Sequence, residues 1–302
     1  MQEPLLIISS VVSTMIRLSV NILTSSIILL QRIEMYSSAS LSELIYSKIA
    51  SISTEDIFSF ALKCGWVYVN NDQPYLTLRG VDILRSNKHD LLMDAKRQML
   101  EDYILKIAPI WTSRIPYGRQ EAAIFMTKDE KACFAEANLF SEYLDASIVN
   151  WWDRMANHVR ARSQQIRNNV GRMGERNTLK YERIRTSYEP KWMSIESNLL
   201  GYDITSRKGK DHPDTLLIEV KASSAALNEA VFYVTAYEWQ VAQNSSAYVF
   251  HLWCLSGRKK LLAVITPSDI VHYIPTNNLE GTWEKAKIPY SCFEKKFVEV
   301  VL

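Results

Sequence analysis

The chain carries an acid in one apolar run, Gly201-Tyr202-Asp203-Ile204, and an acid and a lysine in the next, Ile218-Glu219-Val220-Lys221. Carboxylate oxygens are the hard donors that Mg²⁺ prefers, and a lysine beside them can neutralise charge developing on a phosphate or position an attacking water. Alternate side chains of a strand share a face, so Glu219 and Lys221 point together while Ile218 and Val220 pack the other side. The apolar neighbours Leu216, Leu217 and Tyr202 mark buried central strands, where a charge calls for a metal or a partner. Metal-assisted phosphodiester hydrolysis is the chemistry this set fits. Asp203 and Glu219 would ligate Mg²⁺, with Mn²⁺ as a substitute and the Val220 carbonyl as a further donor. A salt-bridged Glu/Lys pair on an edge strand, with Asp203 starting a turn, is the plain structural alternative.

These residues need strands to carry them and a surface to bring a polyanion to them. Upstream, the segment from Arg154 to Lys191 is rich in positive charge. Its Arg167, Arg172, Arg176, Lys180, Arg183 and Arg185 are the candidate contacts to nucleic-acid phosphates. A solvated helix face is the alternative there. Within the segment, Gly171 and Gly174 are expected to open a helix carrying Glu175 and, seven positions on and on a similar face, Glu182. A strand is expected around Trp192 to Ile195. Thr235 and Glu238 have capping-box spacing, which assigns Glu238 first to a helix start. Strands are expected at Ala247 to Leu255 and Leu261 to Ile265, with His251 and His272 outward and the tail from Thr266 closing the sheet.

The order of helix with glutamate, then strands with Asp203 and with Glu219 and Lys221, resembles the PD-(D/E)XK nuclease superfamily. Gly174-Glu175, Gly201-Tyr202-Asp203-Ile204, Ile218-Glu219-Val220-Lys221 and Val234-Thr235-Ala236-Tyr237-Glu238 look more closely like the nuclease-like domain named after the plant protein NO VEIN, over roughly 167–265. The resemblance implies a restriction-endonuclease-like mixed sheet with flanking helices. It implies Glu175 as the helix acid, with Glu182 as the alternative, Asp203 and Glu219 as metal ligands, and Lys221 as the catalytic lysine. It also implies a place for the Glu238 helix beside the site. A glycine frequently follows the lysine in that family, whereas Ala222 does here. DNA in preference to RNA, a role in restriction or antiphage defence, and cutting as a homodimer are further implications. An inactive nuclease-fold module that binds DNA or recruits partners is the competing reading.

The front half reads differently. Leu41, Leu44, Ile45 and Ile49 fall at helical spacing, and a second helix follows a Ser53/Thr54 cap with Glu55 and Asp56 in its first turn. A hairpin is expected from Trp66 to Leu78 around Asn70-Asn71-Asp72. Helices followed by a hairpin resemble a winged helix, and its acidic second helix favours protein contact over DNA reading, with Arg79, Arg85 and Lys88 just beyond. A mainly α region follows, with a Thr127/Glu130 capping box and a helix from Ser141 to Arg162 through Trp151-Trp152. The expected organisation is thus a winged-helix-like domain over 1–89, a helical connector over 90–165, and an α/β nuclease-like domain over 166–302.

Composition sets outer bounds. The 302 residues, 47% hydrophobic, can bury more than one core, and the net charge of +2 leaves any affinity for nucleic acid to local patches. Cys64, Cys133, Cys254 and Cys292 form no C-x-x-C pair, as expected of reduced cytoplasmic thiols. The oily first thirty residues are broken by Arg17 and by Ser, Thr and Asn, so a buried helix is expected there and no membrane span.

Overall fold

The computed structural model describes residues 17–36, 40–45, 48–49, 52–88, 92–197, 199–277 and 281–302. The chain divides into two compact units, Met1–Arg162 and Ser163–Leu302.

The first unit opens with α1 (Val20–Met35), capped by the Ser19 hydroxyl, which accepts from the Ile22 amide. Its Leu23, Leu29 and Leu30 are fully buried, so the described part of the oily N-terminal stretch is core helix. Residues 1–16 lie outside the described residues, and no described helix is long and apolar enough to cross a membrane. Next come α2 (Leu41–Ile45), the short strands β1 (Lys48–Ile49) and β2 (Ile52–Ser53), and α3 (Thr54–Cys64). Ile49, expected on a helix face, is buried in β1 instead, because the helix ends after one turn. The expected Ser53 cap is present, and Gly65 ends α3 in the left-handed region at φ 77°. The hairpin of β3 (Val67–Asn70) and β4 (Gln73–Leu76) turns on Asn71 and Asp72, both at positive φ, the geometry a two-residue turn needs.

Leu78, expected to end the returning strand, starts α4 (Leu78–Lys88), and α5 (Leu92–Asp102), α6 (Arg119–Ile124) and α7 (Lys128–Glu136) follow. The Thr127/Glu130 capping box forms as read. One core runs from Leu18 to Ala156, so the described part of 90–165, expected as a connector, shares it with described residues of 1–89. The helix expected over Ser141 to Arg162 starts later and runs on as α8 (Ala146–Thr186), continuing past the unit boundary.

In the second unit, β5 (Lys191–Trp192), β6 (Ile204–Arg207) and β7 (Thr215–Ser223) are followed by β8 (Val231–Thr235), α9 (Ala236–Asn244), β9 (Tyr248–Cys254) and β10 (Leu261–Ile265). After α10 (Pro267–Ile270), β11 (Lys285–Pro289) and β12 (Val298–Glu299) complete the chain. The six-stranded sheet has the order β12-β10-β9-β7-β6-β5, so the tail closes one edge through β12. Only β7 and β9 pair in parallel; the other neighbours are antiparallel. The expected strand Trp192 to Ile195 is shorter than read: Met193–Ile195 is a 3-10 turn whose Met193 and Ser194 amides donate to the Asp203 carbonyl. β8 and β11 pair into a separate ribbon.

Candidate active site

β7 is central and presents different chemistry on its two faces. Val220 and Ala222 stand beside His251 and Trp253 of β9, and this face meets α8. A Cβ on Gly174 would lie 2.7 Å from the Ala222 methyl and 3.2 Å from Val220. Gly171 and Gly174 therefore do not open a helix, as their type implied; Gly174 sits mid-helix where α8 packs hard against β7. Glu219 and Lys221 project from the other face, in register with Phe250 and Leu252, which belong to the core that includes Trp239 of α9.

Asp203 precedes β6 by one residue, and its amide donates to the Ile218 carbonyl at 2.9 Å, extending the β6/β7 ladder so that it falls opposite Glu219. The Val220 amide donates to Asp203 Oδ2 at 2.9 Å. Gly201, at φ 74°, makes the turn into this position, and a Cβ there would come within 2.8 Å of Val241. Lys221 Nζ donates to Glu219 Oε1 at 2.7 Å and to Glu238 Oε1 at 2.9 Å. Glu238 keeps its cap as well: its Oε2 accepts from the Thr235 amide at 2.8 Å. The cap and the site role are not alternatives, because each uses a different carboxylate oxygen. Tyr248, which sequence reading did not single out, lies near the same three acids and donates its hydroxyl to the Gly201 carbonyl at 2.7 Å.

Asp203, Glu219, Lys221 and Glu238 thus form one cluster, with three carboxyls to one ammonium. Burial, reinforced by Glu175 and Glu238 against the opposing Val220 amide and Lys221, pushes Asp203 up to about 6. Burial likewise pushes Glu219 well above the usual carboxylate range despite Lys221. Burial alone would lower the Lys221 ammonium, but Glu219 and Glu238 outweigh it and hold the lysine charged. For Glu238 burial acts upward, and Lys221, the Thr235 amide and Glu219 bring it below its ordinary value. Surplus buried negative charge with hard oxygen donors suits a divalent cation. Among the described residues no three His, Cys, Asp or Glu side chains stand assembled as a metal-ligating group.

The helix acids are placed apart. Glu175 Oε2 accepts from Trp192 Nε1, from Ser194 Oγ and, at 2.9 Å, from Arg172 Nη1. It makes no hydrogen bond to the cluster's side chains; its charge is felt by Asp203, and it holds the Ser194 hydroxyl. Glu182 is fully buried on the α8 face, gripped by Arg185 through Nε at 2.9 Å and Nη2 at 2.7 Å. His251 Nε2 lies 3.8 Å from Glu182, and His251 is 1% exposed rather than outward, since β9 is covered on both faces; burial brings it down to about 4. His272 is exposed, as expected.

The basic candidates also divide. Arg185 is spent on Glu182 and on the Arg207 and Lys208 carbonyls, and Arg183 on Glu189. Arg172 is half committed to Glu175 and the Trp192 ring. Arg176 and Lys180 are exposed. Arg167, with short-range bonds to Ser163 and Gln164, lines a cavity of about 470 Å³ that Lys221, Ser223 and Ser224 also line.

Residues 174–264 match the family model described as Protein NO VEIN, C-terminal. The matched stretch holds Glu175, Asp203, Glu219, Lys221 and Glu238, as the motifs implied. It begins in α8 and ends in β10, leaving the first unit and Arg167 outside the NO VEIN match. No curated protein and no solved structure matches the chain.

Proposed function

We propose that the second unit is a Mg²⁺-dependent nuclease hydrolysing phosphodiester bonds of nucleic acid, DNA in preference to RNA, on a restriction-endonuclease-like fold. The observation that carries it is the cluster of Asp203, Glu219 and Glu238 near Lys221, with Glu219 buried, the other three half-buried, and Lys221 on the central strand also lining an open cavity. Asp203 and Glu219 would hold the cation, the Val220 carbonyl assisting. When bound, Mg²⁺ supplies positive charge at the phosphate and lowers the pKa of water. The Val220 amide orients the Asp203 carboxylate, and Glu219 and Glu238 fix the Lys221 ammonium toward charge developing on the phosphate. Glu175 acts as a positioning residue through Ser194, whose amide holds the Asp203 carbonyl at 3.0 Å.

For the first unit we propose a winged-helix-like, partner-recruiting role, supported by the helix and hairpin order and by Glu55 and Asp56 at the start of α3. A second reading, an inactive nuclease fold that binds DNA, is favoured by the two ion pairs that engage Lys221.

Incubating supercoiled plasmid, linear duplex and single strands with the pure protein and Mg²⁺ or Mn²⁺ separates the two. Cutting that disappears with EDTA and in Lys221→Ala supports the nuclease. Binding without cutting, unchanged in Lys221→Ala, supports the inactive fold.

A further inference from the structure

The β8/β11 ribbon presents an outward row that no expectation about the basic helix covers. Its inward residues, Phe232, Val234, Ala286 and Ile288, are buried in the core. The outward ones alternate with them: Tyr233 and Thr235 on β8, Lys285, Lys287 and Pro289 on β11. Lys287 stands opposite Tyr233 in register, and Lys285 Nζ lies 5.4 Å from the centre of the Tyr233 ring. Tyr233 is 44% exposed. The row carries two cations and no carboxylate. It also reaches the candidate active site at Lys221, because Tyr233 lines the same cavity as Lys221, Ser223 and Arg167.

An exposed aromatic flanked by cations and leading into a cleft is the arrangement that holds an unpaired base by stacking and its phosphates by charge. A base inside a duplex is already stacked on both faces and cannot use such a ring.

We infer that the nuclease reading above extends to a substrate preference: the site takes single-stranded nucleic acid, with a base stacked on Tyr233 and neighbouring phosphates on Lys285, Lys287 and Arg167. Tyr233 contributes the strand selectivity and the lysines the salt dependence.

The test is fluorescence anisotropy of the full chain, in EDTA, with labelled oligothymidylate and with a duplex of equal length. The wild type binds the single strand more tightly. Tyr233→Ala weakens that binding about tenfold and leaves the duplex unchanged, while Tyr233→Phe retains it. Replacing Lys285 and Lys287 by Gln lowers the salt slope for the single strand by about 1.4. Equal or weaker binding of the single strand by the wild type, or Tyr233→Ala binding like the wild type, overturns the inference. A Lys221-dependent nuclease with a Tyr233-independent single strand leaves the catalytic reading standing and removes this surface. Tyr233-dependent binding by a chain that cuts nothing does the reverse.

Discussion

The sheet of the second unit has two ionic clusters, each with a buried carboxyl, on its opposite faces. On the α8 face, Glu182 and Arg185 balance each other through two hydrogen bonds, further Arg185 donors go to backbone carbonyls, and His251 is held neutral beside them. On the other face, Glu219 and Glu238 share a single lysine, and Asp203 beside them accepts from the Val220 amide. A buried pair that satisfies itself is a structural element; a buried set left with surplus charge of one sign is poised to take a ligand of the other. Both clusters read as charges in apolar strands or helices, and only their internal balance tells them apart.

Glu182→Ala removes the carboxylate bonded to Arg185, whose remaining donors still reach the Arg207 and Lys208 carbonyls, and is expected to cost about 2 kcal/mol in chemical denaturation, whereas a loss below about 0.5 kcal/mol would show the α8 cluster to be dispensable. Lys221→Ala is expected to lower the cleavage rate by about 10²- to 10³-fold under saturating substrate, with secondary structure by circular dichroism intact.

A third difference appears with pH. The folded pKa of His251 lies below its ordinary value, so protons favour the unfolded chain: its contribution is complete above about 6.5 and is lost as pH falls toward about 4. The loss is on the order of 3 kcal/mol, and His251→Gln should show a smaller drop in Tm between neutral and acid pH than the wild type. The smallest effect is a gain. Glu219→Gln keeps an amide oxygen for Lys221, which Glu238 still pairs, and ends the repulsion among Glu219, Asp203 and Glu238, so without divalent cation it should raise stability at pH 7 by about 1 kcal/mol; a clear destabilisation would mean the carboxyl serves the fold and not a ligand.

Much of the second cluster was legible in sequence, because strand alternation alone puts Glu219 and Lys221 together and the capping-box spacing places Glu238 at the start of α9. Asp203 was legible as an acid amid apolar neighbours. The Asn71-Asp72 turn announced its hairpin for a similar reason, since few residues accept positive φ. Other features needed the third dimension. Gly174 reads as part of a helix start, but it sits mid-helix because Ala222 allows no Cβ. Arg183 and Arg185 count as basic patch until Glu189 and Glu182 are seen to hold them. His251 falls in an alternating strand, and period two cannot reveal that both faces of β9 are covered. The two-lysine ribbon around Tyr233 joins residues more than fifty positions apart in sequence, beyond any local pattern.

The most direct test is a Mn²⁺ titration followed by electron paramagnetic resonance on the wild type, Asp203→Asn and His251→Gln. Surplus charge on the Asp203 face predicts bound Mn²⁺ in the wild type and His251→Gln and its loss in Asp203→Asn. No Mn²⁺ binding by the wild type, or equal binding by Asp203→Asn, would contradict it.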